Sequence, residues 1–223
     1  GAKEALGASS AHAAALWPMV AVGEKKYYFS AMFAALTAYT DANNADVPYE
    51  SPSNKDLRIT ATVLKDGTTV ALDQQQANDV LNANGVITAI NANGFKSWGN
   101  NTAAYPSTTD PKDRWLAVRR FFDWDGNNFI LTYFQKVDKP GNKRLIQSIV
   151  DSQNIIGNGY VARDYCAGYR LEFKEDENPI TDLLDGKLTT HTYLAPYIPA
   201  EKIVNIREYD TAALEAALTG GGE

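Results

Sequence analysis

The tightest local constraint in this sequence lies between residues 73 and 90. Asp73 is followed three residues later by Gln76, the spacing of a capping box, in which each side chain bonds the other residue's backbone amide. Asn84-Gly85 then supplies the left-handed residue that stops a helix. Residues 86–90 form a short apolar run with the character of a strand, and residues 69–72 predict another strand ahead of the helix. Strand, helix and strand at this spacing belong to a layered α/β or α+β fold.

The flanking segments extend that pattern. Residues 17–22, Gly23 and residues 25–29 predict a hairpin of two short strands. Ser30 is placed to cap a helix running through Tyr39, with Phe33 and Leu36 on its apolar side. Residues 41–56 are rich in Asp, Asn, Pro and Ser and predict a loop. Ile59, Ala61 and Val63 alternate with Thr60 and Thr62 as a strand does, and Asp66-Gly67 turns that strand into the one at 69–72.

A Ser/Thr/Asn/Pro-rich loop at 100–111 divides the chain, and Asp110-Pro111 with Asp113 opens a helix beyond it. That helix carries Trp115, Val118, Phe122, Phe129 and Tyr133 at spacings of three, four and seven. Gly126 within it costs about 1 kcal/mol relative to Ala, which points to a kink or a close helix contact there. Pro140-Gly141 ends the helix, and a second one is predicted over 143–156 with Leu145, Ile149 and Ile156 on one face. Strands are expected at 168–173 and 187–194. A third, formed by Ile203, Val204, Asn205, Ile206, Arg207, Glu208 and Tyr209, comes after Pro196 and Pro199. The Ala- and Gly-rich end after Asp210 reads as a frayed tail.

A search for chemistry returns little. The single cysteine, Cys166, allows no intrachain disulfide and no thiolate cluster for zinc, and reads as a small buried apolar group. Of the two histidines, His12 sits in an Ala-rich leader and His191 in a strand of Thr and Tyr, where bonding to a neighbour is its expected role. No G-x-S-x-G elbow supplies a nucleophilic serine. Asp123-Trp124-Asp125-Gly126-Asn127 starts like a calcium loop, but its twelfth position is Phe134 where a glutamate is needed. Asn154, Gly157 and Gly159 make no complete phosphate-binding glycine motif, and the mixed-sign run 172–177 reads as a solvated turn before Asn178-Pro179. The expectation is therefore no catalytic residue, no cofactor and no metal.

The net charge of −6 comes with scattered Lys and Arg, which excludes a nucleic-acid groove or a polybasic membrane patch. No run of about 18 apolar residues is present to cross a membrane. No signal peptide is visible, and the start at Gly1 suggests a piece of something longer.

Several stretches resemble, in order, the contractile tail sheath family of phages and prophage-derived particles. They are SPSNK at 51–55, LNANGVITAINANG at 81–94, WGNNTAAYP at 98–106 and TDPKDRWLAVRRFFDW at 109–124. QKVDKPGNKRLIQSIVDSQNI at 135–155, EFKEDENP at 172–179, Pro199-Ala200-Glu201 and Glu208-Tyr209-Asp210 complete the set. The chain departs from the family pattern at Asn101, where an Arg is usual, and in the Ala-rich tail after Asp210.

The resemblance implies a structural subunit that polymerises around an inner tail tube and contracts to drive injection, located in the virion tail and assembled in the bacterial host cytoplasm. It implies an α/β (α+β) fold: a partial three-layer core domain, subtilisin-like in its layers but without catalytic residues, followed by a C-terminal α+β domain with an arm strand. Residues 1–109 would be the C-terminal half of the sheath core, 110–210 the C-terminal tail-sheath domain that touches the tube, and 211–223 a flexible tail. Partners would be neighbouring sheath subunits, linked by terminal arms that add strands to one another's sheets, and the tube protein; nucleic acid and membrane are not among them. The strand at 203–209 is the candidate link. The alternatives are a hydrolase-like domain, active or dead, and a receptor-binding tail module.

Overall fold

The computed structural model describes residues 3–220. Strand β1 (Ala15–Leu16) lies parallel to β5 (Val86–Asn91), and β5 pairs antiparallel with β6 (Phe95–Trp98). A second sheet has β2 (Met19–Val22) at its centre, flanked by β3 (Lys25–Tyr27) and β4 (Ala61–Val63), both antiparallel to it. The hairpin expected around Gly23 is thus formed. The strand expected at 69–72 shrinks to one bridge, between Val63 and Thr69, and the Val70 N–H donating to the Thr62 carbonyl.

Helix α1 (Phe29–Asn43) covers these sheets. Ser30 lies inside it and does not cap it; Tyr28 occupies the capping position without a side-chain bond. The helix also runs beyond Tyr39 into the expected loop. Arg120 grips the Asp41 carboxylate with both terminal nitrogens, and the Thr40 hydroxyl donates to the Leu36 carbonyl. A tertiary ion pair thus holds a last turn whose local sequence favours a loop. Phe29 and Phe33 meet edge to face in a core with Val20, Leu57, Ile59, Ile87, Ala89 and Leu116.

The capping box is made as expected: Gln76 N–H donates to Asp73 Oδ1 at 2.7 Å and Asp73 N–H to Gln76 Oε1 at 3.3 Å. Helix α2 (Gln74–Gln76) then widens into a π turn (Ala77–Leu81), tightens into a 3₁₀ turn (Asn82–Asn84) and stops at left-handed Gly85. Gly85 is required twice over, because a Cβ there would also stand 2.3 Å from the Tyr105 carbonyl oxygen.

Beyond the loop, Asp110 caps α3 (Pro111–Arg114) by accepting from the Lys112 N–H at 2.8 Å. The helix expected to continue is broken at Trp115, whose backbone is extended, and resumes as α4 (Leu116–Tyr133). The break has a cause in loop 100–102. Thr102 N–H donates to the Arg114 carbonyl and Leu116 N–H to the Asn100 carbonyl, each at 2.8 Å, so residues 114–116 are held as a strand-like bridge. The inward face of α4 is Leu116, Ala117, Val118, Phe121, Asp125 and Tyr133; Phe122 and Phe129 are half-buried. Gly126 causes no kink and touches nothing: α4 is continuous, and a Cβ there would meet no atom within 4 Å.

Asn142 caps α5 (Lys143–Ala162) through the Leu145 N–H, and this helix outruns the expected end at 156. It packs on a two-stranded antiparallel sheet, β7 (Cys166–Glu172) with β8 (His191–Pro196), which flank α6 (Ile180–Leu184). Asn154 pins α5 to β7 by bonding both the N–H and the carbonyl of Leu171. Residues 187–190, expected to open the strand, stay out of the ladder because the Asn178 side chain takes both backbone groups of Thr189. Val47, Phe121, Tyr160, Cys166, Tyr169 and Leu171 form the second core. Leu116 sits in the first core and Phe121 in the second, so α4 seams the chain on both sides of residue 110.

Gly157 fixes how closely α5 approaches β7: a Cβ there would lie 2.0 Å from the Tyr169 ring. Gly157→Ala is expected to destabilise the protein by about 1–3 kcal/mol through overpacking. Gly126→Ala, in open space on α4, is expected to stabilise it by about 0.5–1 kcal/mol. Urea unfolding of the two variants checks both signs; equal effects would mean that the Tyr169 ring moves aside freely.

Candidate assembly surface

The residues weighed for chemistry are not brought together. His12 Nδ1 lies 3.0 Å from Asp123 Oδ2, and Arg119 donates to the other oxygen of that carboxylate. His191, on β8, bonds Glu177 at 2.9 Å and stacks on Tyr193. Residues 123–127 have helical backbone, so Asp123 meets Arg119 while Asp125 is buried against Tyr169, and the two carboxylates do not converge on one point. In the acidic run, Glu172 pairs with Arg170 and Glu177 with Lys174, which with His191 holds the Glu177 carboxyl below the usual range.

Beyond its root, the segment after β8 has no strand partner among the described residues. Residues 201–210 are exposed throughout and join no ladder among the described residues. The strand expected from Ile203, Val204, Asn205, Ile206, Arg207, Glu208 and Tyr209 is therefore not paired within the described chain. Ile203 is 87% and Ile206 80% exposed, and Val204 and Tyr209 are nearly as open. A ladder needs a neighbour, and among the described residues no strand edge pairs with this segment. The loose tail expected after Asp210 contains helix α7 (Thr211–Thr219), which Asp210 caps through the Ala213 N–H and whose side chains are all exposed. Residues 221–223 lie outside the described residues.

The root of this segment is anchored. The Arg114 guanidinium lies 4.5 Å from the Tyr105 ring and 4.2 Å from the Trp115 ring. Its Nε donates to Asn101 Oδ1 at 3.0 Å, which leaves the outer nitrogen for Glu201, 3.4 Å away. Residues 199–203 close one wall of a cleft of about 690 Å³, whose other walls include Asn54, Asn78, Trp98 and Asn101. Arg114 and Glu201 both fall in stretches that match the sheath motifs, but nothing in their spacing pairs residues so far apart in sequence.

Glu201→Gln removes the charge and keeps the shape. NMR order parameters of the backbone at residues 200–203 are expected to fall modestly at low salt, as for loss of a partly exposed ion pair. The difference should vanish near 1 M salt, where the Debye length is about 3 Å. Equal order parameters in both proteins at low salt would mean that other contacts hold the root.

No protein-family model matches the chain. Among curated proteins, the tail sheath protein of Burkholderia phage BcepMu is 31% identical over 176 residues, 77% of this chain and 36% of that protein. The major tail sheath protein of Serratia phage KSP20 is 25% identical over 213 residues, 93% of this chain and 52% of that protein. The chain thus spans from about a third to about half the length of these relatives. Among solved structures, a chain of the anti-feeding prophage baseplate superposes with a TM-score of 0.78 at 20% identity, covering 91% of this chain and 56% of its own. A chain of the sheath complex of an extracellular contractile injection system, PVC, in its contracted state gives 0.78 at 17% identity, covering 95% and 60%. Sequence relatives and shared α+β fold together place this chain in the contractile tail sheath family.

Proposed function

We propose that this chain is part of a structural subunit that polymerises around an inner tail tube in a virion tail and contracts to drive injection, without catalysing a reaction. The observation that carries the reading is the segment 203–209, apolar on both faces and left fully in solvent beside a well-packed body. In an extended strand, Ile203, Asn205, Arg207 and Tyr209 face one way and Val204, Ile206 and Glu208 the other. Such a strand is stable when it is sandwiched in a sheet shared with another chain. Among the described residues the β7–β8 sheet has two strands, so each of them has an edge of matching length without a ladder partner. We assign residues 203–209 as the arm that adds to a neighbouring subunit, residues 1–109 to the sheath core and 110–210 to the tail-sheath unit.

Burial of an aliphatic side chain is worth about 1.5–3 kcal/mol, so the apolar residues of one arm supply several kcal/mol per link. That suits a tether which survives while weaker polar contacts exchange during contraction. The tube is the other partner in this reading, and the exposed apolar run Ile130, Leu131, Phe134 and Val137 at the end of α4 is a second surface open to a protein. Assembly belongs to the host cytoplasm.

Ile206→Pro deletes one ladder donor and fixes the backbone there. In the full-length protein it is expected to abolish ordered tubes in electron micrographs while helical circular dichroism stays unchanged. Contractile sheaths assembled from this variant would refute the tether role of the arm.

A further inference from the structure

Helices α4 and α5 and strand β7 meet at one buried polar cluster. Asp125, on α4, is 5% exposed, and Gln153, on α5, is 1% exposed; the Tyr169 ring of β7 lies between them. Gln153 Nε2 donates to the Tyr169 hydroxyl oxygen at 2.6 Å, and that hydroxyl donates to Asp125 Oδ2 at 3.2 Å. A phenol has one proton to give. Asp125 Oδ1 and Gln153 Oε1 therefore remain as buried acceptors with no donor among the described residues. Two buried acceptors thus lack a donor, and the Tyr169 ring has no slack, because Gly157 seats it directly on α5.

Among the described residues, the surroundings offer no cation to Asp125. The titratable groups that face it are Tyr169 and Cys166 from β7 and Tyr160 from α5, all neutral at pH 7. Arg163 acts on Tyr160, and Leu194 is the residue that β8 contributes beside the cluster. Charges elsewhere on α4 are spoken for: Arg119 by Asp113 and Asp123, and Arg120 by Asp41.

We propose that Asp125 is a proton-operated joint: the neutral carboxyl lets α4, α5 and the β7–β8 hairpin close over it without burying a charge, and the ionised carboxyl, with one oxygen unbonded and no cation beside it among the described residues, loosens them. The proposal stands on this cluster and is independent of the sheath reading. Burial raises the Asp125 carboxyl from 3.8 to about 6, and the Tyr169 hydrogen bond opposes that rise in part. A carboxyl raised in the folded state stabilises the fold fully below pH 4 and progressively less as pH climbs through 6. A rise of about two units corresponds to a roughly hundredfold larger unfolding constant at pH 7 than at pH 4 from this group.

The test uses the whole chain and its Asp125→Asn variant, whose amide carries a donor at every pH. Urea unfolding at pH 4, 5, 6 and 7 is expected to show the variant gaining on the wild type as pH rises, by up to about a hundredfold in the unfolding constant at pH 7. In the wild type, the Asp125 carboxyl carbon should titrate by NMR with a midpoint near 6. Parallel pH profiles for the two proteins, or an NMR midpoint near 4, would overturn the proposal; the NMR titration decides alone if the variant does not fold.

Discussion

One helix can serve two cores here only because of how the chain enters it. Loop 100–102 takes the Arg114 carbonyl and the Leu116 N–H into backbone hydrogen bonds, so Trp115 is extended and α4 starts afresh one residue later. The restart sends Leu116 into the core of the first two sheets and Phe121 into the core under α5. The loop residues are themselves fixed, since Asn100 accepts from the Ser51 hydroxyl and Asn101 from Arg114. Had α3 and α4 run on as one helix, the Arg114 carbonyl and the Leu116 N–H would belong to the helical ladder and could not hold loop 100–102.

The part of the fold legible in the sequence is the part that depends on near neighbours. The Asp73–Gln76 box, the stop at Gly85 and the start at Asp110-Pro111 are contests between a side chain and backbone groups two or three residues away, so local grammar decides them. The misplaced boundaries share another cause. Arg120 extends α1 by gripping Asp41, Asn178 withholds Thr189 from its strand, and loop 100–102 breaks the helix at Trp115. In each case the deciding partner lies from about ten to about eighty positions away, and no periodicity carries that information. For the same reason the Arg114–Glu201 anchor has no signature in the sequence, although the arm itself stands out as a two-faced apolar run behind two prolines.

The arm and the body obey opposite rules about edges. β3, an outer strand of its sheet, presents Lys25 and Lys26, and charge of this kind discourages pairing with a stray chain. β8 and the arm have no lysine between His191 and Tyr209 other than Lys202 at the root. Ile203, Val204 and Ile206 stay in solvent, an arrangement that costs free energy in a chain that remains alone. The proposed function gives that arrangement a use: an arm exposed in a single chain would be interior in an assembly.

The buried acceptors around Tyr169 and the apolar arm both border the β7–β8 hairpin. A two-stranded sheet has little stability of its own, so β7–β8 depends on α5, through Asn154 and the seat at Gly157, and on α4, through Asp125. β8 runs directly into the arm, with Pro196 the last paired residue and Pro199 stiffening the backbone beyond it. A pull on the proposed arm therefore meets the Arg114–Glu201 contact first and β8 beyond it. The hairpin in turn bears on the cluster whose buried acceptors lack donors. On the two proposals together, a pull that overcomes the Glu201 contact would be felt at Asp125 through the six paired residues of β8, and in the helices behind that sheet.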